Sequence, residues 1–162
     1  MTEKTGKPLL YEIPVYDVRL VRARRPLRLV EERLDIDRQA ARALHALIGL
    51  TDREHFVCLF VNNANVIAGA HIAAMGGQNT CVVDGRVVMR AAFAACASAL
   101  VVGHNHLSGD PTPSAEDLAM TAKLMSIGNT VGVPVLDHVI VTRDPRRYHA
   151  MFTRGTLPKI EP

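Results

Sequence analysis

A pair of histidines placed directly after a short apolar run is the feature that most constrains this chain. Residues 99–103 are Ala-Leu-Val-Val-Gly, the composition of a buried strand, and His104 and His106 follow where that strand opens into a loop. In extended backbone, residues two apart point to the same side, so both imidazoles are expected on one face. This arrangement is typical of metal ligands and predicts a metal site at the end of a strand.

The loop after the histidines returns a carboxylate to them. Pro111 and Pro113 stiffen this loop, and Ser114 is suited to cap a helix, which puts Asp117 in the first helical turn. Two neutral imidazoles and one carboxylate suit Zn²⁺ and leave the fourth tetrahedral position for water, as in catalytic zinc sites. No cysteine pair lies near the loop to close a structural site instead.

The segment from Ser114 to Asp117 also has a purely structural interpretation. It is a Ser-x-x-Asp capping box, in which both side chains serve only to satisfy free backbone N–H groups at a helix start. The two interpretations are compatible, because a capped helix start also aims Asp117. A His-x-His pair alone is a weak signal, but its spacing from Ser114 and Asp117 favours the metal site.

The spacing of these residues resembles the motif of the JAMM metalloproteases, also called MPN-plus or JAB proteins. That motif is His104-x-His106, seven residues, Ser114, two residues and Asp117. The longer pattern His-Asn-His-x-Ser-Gly-Asp-Pro-x-Pro-Ser-x-x-Asp is similar to the bacterial branch named after the RadC protein, over roughly residues 36 to 144. That branch usually has proline after the second histidine, where this chain has Leu107, which leaves every ligand in place.

The resemblance implies the MPN (JAB/JAMM, cytidine-deaminase-like) fold, an α/β fold with a curved mixed β-sheet flanked by helices. It also implies a zinc-dependent peptidase or isopeptidase that holds one Zn²⁺ through His104, His106 and Asp117. The family's general base is a glutamate after the first helix, near the start of a core strand, and Glu54 has that position. An ordinary surface carboxylate is the alternative for Glu54. By the same resemblance, Ser114 would donate a hydrogen bond to the oxyanion of the tetrahedral intermediate.

Four further polar residues lie in apolar surroundings. Asn105, between the two histidines, is expected to point away from the metal and make a structural hydrogen bond. Asp137 and His138 lie inside the last strand, either as partners that orient a ligand or as a buried structural pair. His71 lies in a hairpin strand and is expected to be structural.

Hydrophobic periodicity predicts the remaining elements and a mixed sheet. It indicates an edge strand over 11–20, a helix from Asp37 to Gly49, a hairpin of strands over 56–61 and 66–74, helices over 86–98 and 117–128, and a strand over 133–142. Residues beyond 145 are expected to be peripheral. The chain therefore divides into an N-terminal tail with an edge strand and an Arg-rich segment (1–35), the RadC-like domain (36–144) and a C-terminal tail (145–162).

The composition is typical of a globular protein. Of the 162 residues, 48% are hydrophobic and 22% are charged, which excludes a disordered chain. The absence of a long apolar run and of a signal-peptide core leads us to expect a cytoplasmic protein with no membrane association. Cys58, Cys81 and Cys96 lie in apolar stretches and are expected to be buried, reduced thiols.

A group of arginines near the N-terminus suggests an alternative function. It comprises Arg19, Arg22, Arg24, Arg25, Arg28 and Arg33. Such a cluster either binds nucleic acid or forms a solvated surface, and Glu31 and Glu32 partly neutralise it. The RadC name carries a historical link to DNA repair, although the segment before residue 36 is too short for the helix-hairpin-helix region usual in that family. A homodimer formed through an uncovered edge strand is a further expectation.

Overall fold

In a computed structural model of the protein, which describes Val21 and residues 36–76 and 83–159, helices cover both faces of a five-stranded sheet. The elements are α1 (Ile36–Ile48), β1 (His55–Val61), β2 (Ile67–Met75), α2 (Gly85–Ala94), β3 (Ala99–Asn105), α3 (Ala115–Thr130), β4 (Val135–Val141) and β5 (Tyr148–Ala150). The strand order is β2-β1-β3-β4-β5. Among the described strands, only β3 and β4 pair in parallel, so the sheet is mixed, as predicted.

The two central strands are apolar at almost every position because both of their faces are covered. Every residue of β1 and of β3 is buried. One face of these strands packs on α1 through Leu44 and Ile48, and the other packs on α2 and α3 through Val88 and Leu124. Residues alternate between the two faces along a strand, so His104 lies on the side of α2 and α3.

Gly103 lets α1 approach β3 just before the histidines. A Cβ atom at this position would overlap the Leu44 side chain and would lie 2.5 Å from the carbonyl oxygen of Val139. Any larger residue would therefore push α1 or β4 away from β3. The glycine fixes the position of the strand end that carries the two histidines.

Several predicted elements begin or end at other residues in the structure, and two of these differences lie on either side of the turn into β3. The helix predicted over 86–98 ends at Ala94, because Cys96 takes a left-handed conformation with φ of 49° that turns the chain into β3. Phe93, within α2, is exposed. The predicted strand 99–103 extends to Asn105, so His104 lies within β3 and His106 directly follows it.

The prediction that residues beyond 145 are peripheral was wrong. Tyr148–Ala150 pairs antiparallel with β4 as the fifth strand, and Ala150 and Met151 are buried. This segment covers the open side of β4, which would otherwise expose the backbone of a buried strand. A strand of three residues gives too short a pattern for periodicity to detect.

The cysteine prediction holds in part. Cys58 is fully buried in β1, and burial raises the pKa of its thiol to about 12. Cys96 is exposed, contrary to expectation, because it lies in the turn after α2. Cys81, the edge strand predicted over 11–20 and the arginine cluster lie outside the described residues.

None of the helices in the described part of the chain is long and apolar enough to cross a membrane.

Candidate metal centre

Three side chains with ligand atoms converge where β3 ends and α3 begins. Nε2 of His104 lies 2.9 Å from Nε2 of His106 and 3.2 Å from Oδ1 of Asp117. Nε2 of His106 lies 3.4 Å from Oδ2 of Asp117. The structure thus brings together the three residues that the sequence predicted as metal ligands, with one ligand atom from each within 4.8 Å of the others.

Asn105 anchors the strand end between the two histidines. Its side chain points to the opposite face, where Oδ1 accepts a hydrogen bond from the backbone N–H of His55 at 2.8 Å. Nδ2 donates to the carbonyl oxygen of Arg53 at 3.0 Å and to Oγ1 of Thr51 at 3.2 Å. The expected structural hydrogen bond is therefore present, and it ties β3 to the connection between α1 and β1.

Asp117 is aimed at the histidines by the helix cap. Oγ of Ser114 accepts from the Asp117 N–H at 3.1 Å, and Oδ2 of Asp117 accepts from the Ser114 N–H at 2.8 Å, so the capping box is present. The Ser114 hydroxyl also donates to Oδ2 at 2.6 Å. Because two donors hold Oδ2, Oδ1 is the oxygen left to face His104.

His106 is oriented by the loop that it begins. Its Nδ1 lies 2.8 Å from the carbonyl oxygen of Asp110, which can only accept a hydrogen bond, so Nδ1 carries the proton. In the neutral ring, Nε2 then presents a bare lone pair to the site. Burial alone would lower the pKa of His106, but hydrogen bonds to Asp117 and Asp110, with the charges of Asp117 and Glu54, raise it.

The carboxyl of Asp117 is ionised. Burial favours its neutral form, but hydrogen bonds from His104, His106 and Ser114 outweigh burial and hold its pKa far below the usual value. The centre therefore carries a negative charge beside two imidazole rings.

His138 contacts His104 from behind. Nε2 of His138 lies 2.8 Å from Nδ1 of His104, and Nδ1 of His138 lies 2.5 Å from Oγ1 of Thr121 on α3. His138 is fully buried, and burial, with the charge of a protonated His104, lowers its pKa well below the usual value. Sequence reasoning missed Thr121, although its position four residues after Asp117 places both on one helix face.

The structure separates the roles of Asp137 and His138. Asp137 lies on the other face of β4, where its Oδ1 accepts from the backbone N–H groups of His138 at 2.7 Å and Phe152 at 2.8 Å. Burial raises its pKa to about 6, and the charge of Asp37 adds to the rise. Asp137 is thus a buried structural group, whereas His138 touches a candidate ligand.

Glu54 directly precedes β1, next to the metal centre. β1 pairs Phe56 with His104, and continuing this antiparallel register places Glu54 opposite His106 on the same face of the sheet. Glu54 is half-buried, and its charge contributes to the raised pKa of His106. Its part in catalysis stays a prediction, as does the oxyanion role of Ser114.

The residues present fit a divalent cation. Two imidazole nitrogens 2.9 Å apart and an ionised carboxylate repel one another unless a positive charge, either a proton or a metal ion, lies between them. Imidazole and carboxylate ligands are the set that Zn²⁺ takes in catalytic sites with three protein ligands. The side chains of His104, His106 and Asp117 are 6%, 16% and 13% exposed, so the centre is largely buried but still reaches solvent.

The family relation agrees with this geometry. The family model described as RadC-like JAB domain matches residues 34–156. A UPF0758 protein of Bacillus cereus is 44% identical over 89 residues, which cover 55% of this chain and 40% of the relative. A UPF0758 protein of Listeria monocytogenes is 44% identical over 103 residues, 64% of this chain and 45% of the relative. UPF0758 protein YsxA of Bacillus subtilis is 40% identical over 105 residues, which cover 65% of this chain and 45% of the relative.

The matched region spans less than half of each of these relatives, and their names state no activity. The family model, in contrast, covers α1 and every strand and helix after it, including the candidate ligands. The resemblance drawn from the histidine motif is confirmed, and so is the expected α/β fold with a mixed sheet. The chain belongs to the RadC-like JAB domain family.

Proposed function

We propose that this domain is a metal-dependent hydrolase of amide bonds, a peptidase or isopeptidase that uses one Zn²⁺. The observation that carries the proposal is the convergence of Nε2 of His104, Nε2 of His106 and Oδ1 of Asp117 at a partly open position. Three protein ligands leave room for a water and for a substrate carbonyl. Membership of the JAB domain family supports the same chemistry.

The ion would supply a water whose pKa falls from 15.7 to about 7, together with a positive charge that polarises the scissile carbonyl. Glu54, on the same face as His106, is the carboxylate that would accept the proton of the attacking water. The same carboxyl group would then deliver that proton to the departing amine nitrogen. Because Asp117 is a ligand, it cannot also serve as this base.

Ser114 has two separable tasks in this proposal. Its hydroxyl donates to Oδ2 of Asp117, which orients the carboxylate. To stabilise the oxyanion of the tetrahedral intermediate, the hydroxyl would have to turn its proton from Asp117 to the substrate oxygen. Orientation would affect metal affinity, whereas oxyanion stabilisation would affect only the rate.

The test compares zinc-loaded variants on a library of internally quenched peptides and isopeptide-linked peptides. Glu54→Gln should keep the zinc and lower hydrolysis at least about 100-fold, the usual contribution of a general base. Glu116→Gln, an exposed carboxylate in the first turn of α3, is the matched control and should keep full activity. Full activity of Glu54→Gln would show that Glu54 is not the general base. Cleavage that survives a chelator would show that hydrolysis does not depend on the metal.

A further inference from the structure

A continuous chain of hydrogen bonds runs behind the metal centre from β3 to α3. It begins at Nδ1 of His104, which lies 2.8 Å from Nε2 of His138. Nδ1 of His138 lies 2.5 Å from Oγ1 of Thr121, and this hydroxyl lies 2.6 Å from the carbonyl oxygen of Asp117. The chain therefore starts on one candidate ligand and ends on the backbone of another.

The direction of each hydrogen bond follows from its last acceptor. A carbonyl oxygen can only accept, so the single hydroxyl proton of Thr121 goes to Asp117. Oγ1 of Thr121 must then accept from His138, which places the proton of that ring on Nδ1. Nε2 of the neutral His138 is left bare and can only accept.

The same logic fixes the proton on the metal-facing histidine. Because Nε2 of His138 accepts, Nδ1 of His104 must donate, so Nδ1 carries the proton of that ring. When this ring is neutral, Nε2 of His104 has a free lone pair directed at Oδ1 of Asp117 and Nε2 of His106, and a proton shared between these atoms takes the place of an ion in the metal-free centre. This is the tautomer that can bind a metal ion through Nε2.

Burial makes the arrangement specific. His138 and Thr121 are both 0% exposed, so water cannot take the place of either partner. Phe56 packs edge-on against the ring of His138, with centroids 5.7 Å apart. A buried polar group that loses its partner is costly, so the three side chains hold one pattern of protons.

We propose that His138 and Thr121, which we call the His138–Thr121 relay, are positioning residues that hold His104 in its metal-binding tautomer. The inference rests on the metal centre of the proposed function, but it requires no hydrolysis. A partner that fixes the tautomer of a histidine ligand is worth about 10- to 100-fold in metal affinity.

The test uses two pairs of matched variants. His138→Leu removes the acceptor for His104, whereas His138→Gln keeps an amide oxygen close to the place of Nε2. Thr121→Val removes the hydroxyl with almost no change of shape, whereas Thr121→Ser retains it. The Thr121 pair tests the proposal even where His138→Leu fails to fold, because valine matches threonine in volume.

Two measurements are made on each variant. Long-range ¹H–¹⁵N correlation of the metal-free protein reports which nitrogen of His104 carries the proton, with the signals assigned from a His104→Gln variant. Zinc affinity is measured by competition with a chromophoric chelator. We expect Nδ1 of His104 to carry a proton in the wild type, the Gln variant and the Ser variant, and zinc affinity to fall about 10- to 100-fold in the Leu and Val variants.

Several results would overturn the proposal. An Nε2–H tautomer of His104 in the wild type would refute the proton pattern itself. Wild-type affinity in both Leu and Val variants would show that the relay has no effect on the metal. Equal weakening by Leu and Gln, or by Val and Ser, would assign the loss to packing instead. A wild type that shows the Nδ1–H tautomer but binds no zinc would refute the proposed function and leave the proton pattern intact.

Discussion

Asp137 should make the stability of the domain depend on pH in an unusual direction. The residue is 2% exposed, and burial raises the pKa of its carboxyl from 3.8 to about 6. The folded state therefore holds this proton more tightly than the unfolded state does. The stabilisation is fully present below pH 4 and is lost as the pH rises through about 6.

The size of the effect follows from the two pKa values. A rise from 3.8 to about 6 corresponds to about 3 kcal/mol, because each pKa unit is worth about 1.4 kcal/mol. Asp137→Asn removes the ionisation, and its amide oxygen can still accept from the N–H groups of His138 and Phe152. We therefore expect Asp137→Asn to gain up to about 3 kcal/mol over the wild type between pH 4 and pH 7.

The assay is urea unfolding of metal-free protein at a series of pH values. The quantity to compare is the difference in unfolding free energy between variant and wild type, in which groups common to both cancel. Glu116 is exposed, so the unfolding free energy of Glu116→Gln should change with pH in parallel with that of the wild type. A constant difference between Asp137→Asn and the wild type from pH 4 to pH 7 would refute the reasoning.

Three further predictions follow from the packing and the helix cap. Gly103→Ala should lower the unfolding free energy by about 1 to 3 kcal/mol in urea titration, because its Cβ would overlap Leu44; an unchanged midpoint would contradict the close approach of α1. Cys96 should react with a thiol reagent much faster than Cys58, and equal rates in folded protein would contradict the burial of Cys58. Ser114→Ala should destabilise the domain by about 1 kcal/mol through loss of the cap and also weaken zinc binding, whereas Ser114→Thr should retain most of both; equal stability of Ser114→Ala and wild type in thermal melts would argue against the cap.

Local patterns carried enough information to predict much of the site. The alternation of side chains along a strand placed His104 and His106 together, and the capping box placed Asp117 at the start of α3. The position of Glu54 came from the family resemblance, because nothing in its neighbours marks it as a base. These predictions depend on residues that are close in sequence or on a motif that this chain shares with other proteins.

Other features depend on contacts between distant segments. The contact of His138 with His104 arises from the parallel pairing of β3 with β4, in which Val102 lies opposite His138. No local pattern fixes that register, so the sequence left the role of His138 open. The strand β5 escaped prediction for the same reason, since three residues become a strand only by pairing with β4.

Zinc titration of the purified metal-free domain tests the central claim most directly. One equivalent should bind to the wild type, and single substitutions of His104, His106 or Asp117 by alanine should each remove this binding. His71→Ala, at an exposed histidine of β2, is the matched control and should bind zinc like the wild type. Binding that survives His104→Ala, or a wild type that takes up no zinc at all, would contradict a metal centre at the end of β3.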